Sequence, residues 1–104
     1  MTILDDYDRI RTAMEYATGE TLDTDHPCRT SSQFWMRAIT AHFLYSRGWV
    51  DARIARLLGR CRAAIWCSRQ RVQEAMELPK VYADVIEIMT KTKEQYYELF
   101  GHNL

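Results

Sequence analysis

Seven arginines stand within residues 47–71 (Arg47, Arg53, Arg56, Arg60, Arg62, Arg69 and Arg71), against a single acid, Asp51. That stretch carries +6, so the remainder carries −6, because the formal charge of the whole chain is zero. A neutral chain with one sharply basic quarter concentrates its positive potential on one surface, where a phosphate backbone would lie. Arginine can pair with guanine O6 and N7, glutamine with adenine, and an alanine methyl can pack against thymine. The expected chemistry is therefore recognition of duplex DNA. Arg62, Ala63, Trp66, Arg69, Gln70 and Gln73 are the candidates to read base edges, and Arg37, Arg47, Arg53, Arg56 and Arg60 are the candidates to hold phosphates.

Other chemistries find little support. No nucleophile stands beside a base at a useful spacing, no carboxylate pair is framed by apolar residues, and no G-x-x-x-x-G-K-S/T phosphate loop occurs, so neither an enzyme nor a cofactor is expected. Cys28, Cys61 and Cys67 cannot all pair within one chain and form no Cys-x-x-Cys, which suits free thiols in a reducing cytoplasm. His26-x-Cys28 with Cys61-x5-Cys67 matches no common zinc knuckle, so no metal is expected. No apolar run is long enough to span a bilayer and the N-terminus is acidic, so neither a membrane partner nor a signal peptide is expected.

The elements that position the arginines follow from spacing. Ile54 and Leu58, four apart, share one face of a short helix, with Asp51 placed to cap its start and Gly59 to close it. A second helix returns Ile65, Val72 and Met76 to an inward face, and the small Ala55 leaves room for the two helices to cross. This is the pattern of a helix-turn-helix over residues 50–77. Trp66 has two positions open to it. Left on the exposed face it needs DNA or a partner to cover it, whereas a modest rotation tucks it against the first or last helix, and the packed position is the favoured one.

The rest of the chain reads as support, giving one all-α domain over residues 1–104 with about five helices. Ile3, Tyr7, Ile10, Met14 and Ala17 make an apolar seam on a first helix that ends near Gly19, with Asp5, Asp6 and Asp8 suiting the positive end of its dipole. Residues 20–32 read as a loop. Ser31 or Ser32 then caps a long helix reaching Arg47, with Phe34, Ala38, Ala41 and Tyr45 in one stripe and Trp35, Ile39 and Phe43 widening it; His42 on that face reads as a hydrogen-bonded core histidine. Gly48 ends this helix. After Leu78-Pro79 a last amphipathic helix carries Val81, Val85, Ile88, Thr92, Tyr96 and Leu99 on one face and stops at Gly101.

From Arg37 to Val72 the chain resembles the C-terminal DNA-binding domain of the bacterial replication initiator DnaA. The residues that carry the resemblance are Arg37 and Ile39, then Ile54, Ala55, Leu58, Gly59, Arg60, Ile65, Arg71 and Val72. It implies a helix-turn-helix on a long preceding helix, a double-stranded DNA partner, and a role in replication or transcription regulation. Where that family reads its origin box through Asp-His-Ser/Thr-Thr, this chain has Cys61, Arg62, Ala63 and Ala64, which leaves a different target sequence open. The same loss motivates an alternative, a protein-interaction adaptor of phage or mobile-element type, in which the N-terminal seam pairs with a second copy or another protein.

Overall fold

The computed structural model describes residues 2–28 and 30–104, which form five helices and no strand. These are α1 (Ile3–Thr18), α2 (Ser31–Ser46), α3 (Asp51–Leu58), α4 (Arg62–Glu77) and α5 (Ala83–Phe100). The all-α class and the helix count are as the spacing predicts.

α1 opens on a capping box in which Thr2 Oγ1 accepts from the Asp5 amide at 3.2 Å and the Asp5 carboxylate accepts from the Thr2 amide at 3.1 Å. Its seam is buried at Tyr7, Ile10, Ala13 and Met14. α5 covers it along its length: Arg9 lies over the Phe100 ring at one end, while Ala17 and Ile88 line a common hollow at the other, so the two helices run antiparallel. The seam expected to be open to a second copy is thus consumed within the chain by α5 and α2, which corrects the homodimer reading of that face.

α2 is the central post, touching α1, α3 and α4 and burying Met36, Ala38, Ile39, Ala41, Phe43 and Leu44. Its N-cap is Thr30 rather than Ser31 or Ser32, since Thr30 Oγ1 accepts from the Gln33 amide at 3.2 Å. Tyr45, expected in the core stripe, is 49% exposed. His42 is half-buried against Phe43 and its ring makes no hydrogen bond among the described residues. Burial, followed by the nearby Lys93 and Arg69 charges, pushes its pKa down.

Gly59 ends α3 in the left-handed region, at φ 66°, where a side chain would be strained. The turn it makes brings Ile54, Ala55 and Leu58 of α3 onto Ile65 and Val72 of α4, all buried. Met76 does not join them. It is 44% exposed, and Ala75, three residues beyond Val72, takes the inward position instead. α5 begins at Ala83, after the Leu78-Pro79 break, and turns Val85, Met89, Thr92 and Tyr96 inward while Val81 and Leu99 stay exposed.

Candidate nucleic-acid interface

Two sides of α4 treat arginine differently. On the side facing α3, Arg69 donates from Nε to Asp51 Oδ1 and from Nη2 to Asp51 Oδ2, both at 2.7 Å, and its guanidinium lies 3.7 Å from the Tyr45 ring centroid. The fork is shielded, with each partner's side chain 13% exposed. The doubly bonded carboxylate holds Arg69 above its ordinary pKa. Arg69 is therefore not a base reader, and Asp51 is not the cap of α3: Val50 occupies the N-cap without a side-chain bond, while Asp51 pins α3 to α4. Tyr45 brings α2 into the same joint.

Two of the five expected phosphate arginines are also occupied. Arg37 is buried, with Nε donating to the Asp23 carbonyl and Nη2 to the His26 carbonyl. It anchors the loop that precedes α2 and is not available to a backbone phosphate. Arg47 ion-pairs through Nε with Asp6 Oδ1 at 3.0 Å, and Trp49 Nε1 donates to Asp6 Oδ2 at 2.7 Å. Asp6, expected merely to suit a helix dipole, is instead a buried acceptor that ties α1 to the entrance of the helix-turn-helix, and it neutralises Arg47.

The remaining cations face outward. Arg53 is exposed, with its guanidinium 5.2 Å from the Trp49 ring centroid. Arg56 and Arg62 are exposed and have no acidic partner among the described residues. Arg60 is half-exposed and donates from Nη2 to the His26 carbonyl at 3.2 Å, the same oxygen that Arg37 holds. Arg71 sits between the Phe34 and Trp35 rings and a loose 3.7 Å pairing with Glu74.

Along the outward face of α4, Arg62, Ala63, Trp66, Cys67, Gln70 and Gln73 are all exposed. Trp66 is 53% exposed, so the packed alternative is overturned: Ile65 takes the core position, and the next residue is turned about 100° away from it. A shallow apolar hollow of about 500 Å³ lies on one side of the indole, bordered by Phe34, Ala64, Cys67 and Arg71, and another of about 510 Å³ on the other, bordered by Arg62 and Ala63. The C-terminal half of the face is different in character. There Glu74 and Glu77 are exposed, and the Gln73 amide is held 3.5 Å from Glu77 Oε1. The structure thus brings Arg62, Ala63, Trp66 and Gln70 together on α4, leaves Arg53 and Arg56 exposed on α3, and sets Gln73 at an acidic end. Phe34, from the start of α2, joins this face without any local sequence signal.

Cys28, Cys61 and Cys67 are unpaired and exposed, and no three His, Cys, Asp or Glu side chains converge among the described residues. No helix among them is long and apolar enough to cross a membrane. Residues 38–85, running from α2 through the helix-turn-helix to the start of α5, match the family described as "Putative ATPase subunit of terminase (gpP-like)". No curated protein and no solved structure matches the chain. The segment that carries the outward arginines and Trp66 is therefore similar to part of a terminase subunit family.

Proposed function

We propose that the chain binds double-stranded DNA through the α3–α4 helix-turn-helix, with the N-terminal half of α4 in the major groove. The observation that carries this reading is the outward face of α4, where Arg62, Ala63, Trp66 and Gln70 are exposed together and Arg62 has no acidic partner among the described residues. Arg62 and Gln70 are the hydrogen-bonding base readers, while Arg53, Arg56 and Arg60 hold phosphates and set the register. The terminase-family similarity over residues 38–85 spans this whole unit and is compatible with a DNA partner and with assembly alongside other subunits. The resemblance to the initiator DNA-binding domain rests on the same segment and points the same way. Although that terminase family has an ATPase in its description, this chain carries no phosphate loop, and we assign it binding rather than catalysis. Its exposed free thiols suit a reducing cytoplasm.

Selection of duplexes from a random library, followed by fluorescence anisotropy, tests the proposal. Binding is expected to weaken steeply as salt rises, Arg62→Ala is expected to cost about 1–3 kcal/mol, and Arg56→Ala to lower the salt slope by about 1. No duplex binding at low salt overturns it. The adaptor reading then takes its place, favoured by the exposed Met76, Leu78 and Val81 around the α4–α5 turn.

A further inference from the structure

We infer that the α4 face recognises thymine, with Trp66 and Ala63 packing against C5 methyl groups in the major groove. The inference rests on the DNA-binding reading above and names what that site reads. With Arg69 withdrawn to Asp51 and Gln73 held at the acidic end, few hydrogen-bonding side chains remain on the usable half of the helix. The centre of that half is apolar: a 53% exposed indole with Ala63 and Cys67 exposed beside it and a hollow on either side. Exposed tryptophan surface of this kind is unfavourable in water and gains from a covering apolar group. The surrounding charge says what supplies it. Arg62 borders one hollow and Arg71 the other, and Asp51, which also borders the first, is already held by Arg69, so the complementary surface is electronegative around an apolar centre. A major groove has that distribution, and thymine is the base whose edge there offers a methyl group.

Deoxyuridine substitution isolates this contact, because it removes the methyl and leaves every hydrogen-bonding atom of the base in place. In the duplex enriched by the library selection, each thymine is replaced by deoxyuridine in turn and binding is measured by anisotropy. At one or more positions the unsubstituted protein is expected to bind about fourfold more weakly, the loss of one buried methyl. Trp66→Ala is expected to shrink that ratio below twofold, and Trp66→Phe to restore most of it. Unchanged circular dichroism of both variants shows that the effect is not one of folding. A protein that binds the enriched duplex with its expected salt slope, yet tolerates every deoxyuridine within twofold, overturns the thymine assignment alone. The same methyl sensitivity in Trp66→Ala removes the indole from it. Failure to enrich any duplex overturns both the assignment and the DNA-binding reading.

Discussion

At the joint between α2, α3 and α4, Arg69 gives two hydrogen bonds to Asp51 and stacks on Tyr45, while on the outward face of the same helix Arg62 has no acidic partner among the described residues. The two residues share a helix and a charge, yet the first holds the helix-turn-helix at its angle and the second is left open to solvent. What separates them is the neighbourhood that the fold brings to each. A shielded bidentate pair fixes geometry because leaving either member alone strands a charge away from water, whereas an exposed guanidinium stays hydrated and is free to exchange that water for another acceptor. The positive charge left open to solvent is accordingly smaller than the +6 of residues 47–71, and it is concentrated on α3 and the start of α4.

The contrast is broken most forcefully at the joint itself. Asp51→Ala leaves Arg69 shielded and unpaired, so urea unfolding is expected to show a loss of about 3 kcal/mol. Arg62→Ala, exposed and unpaired, is expected to change stability by no more than about 0.5 kcal/mol in the same experiment. Equal losses in the two variants would mean that the joint and the face do not differ as described. A somewhat smaller effect is expected at Arg37, which serves the fold in the same manner as Arg69. Arg37→Ala leaves the Asp23 carbonyl without its side-chain donor and the His26 carbonyl with Arg60 alone, and is expected to cost about 2 kcal/mol, with no change in the salt slope of duplex binding.

The smallest expected effect is one of pH and concerns His42, whose ring lies on α2 near the joint. Its folded pKa is depressed by burial first and by Lys93 and Arg69 next, so the fold favours the neutral ring. Its contribution to stability is therefore complete above the unfolded histidine value of about 6.5 and is lost as pH falls below that value and through the folded one. Urea midpoints measured between about pH 5 and pH 8 are expected to decline on the acid side for the unaltered chain and to decline less for His42→Gln. Parallel curves would show that His42 does not carry the acid loss.

How much of this could be read in advance varied with the distance over which each feature is encoded. The stop at Gly59, the α1 seam of Tyr7, Ile10 and Met14, and the Ile54–Leu58 face all depend on residues three or four apart, and spacing places them well. Spacing misplaces Met76 and Tyr45, because periodicity gives the centre of an apolar stripe but not how far a neighbouring helix extends over its edge. Trp66 lay at just such an edge.

The amino-acid order by itself determined that the chain is helical, where its helices break, and that its cations gather around one turn, since each of these follows from local backbone preference and composition. Which arginines remain available was decided only in three dimensions. Asp51 and Arg69, Asp6 and Arg47, and Arg37 and the His26 carbonyl are all far apart along the chain. Whether such groups meet depends on how helices cross, and a charge is neutralised or left open by what the crossing brings within about 3 Å of it.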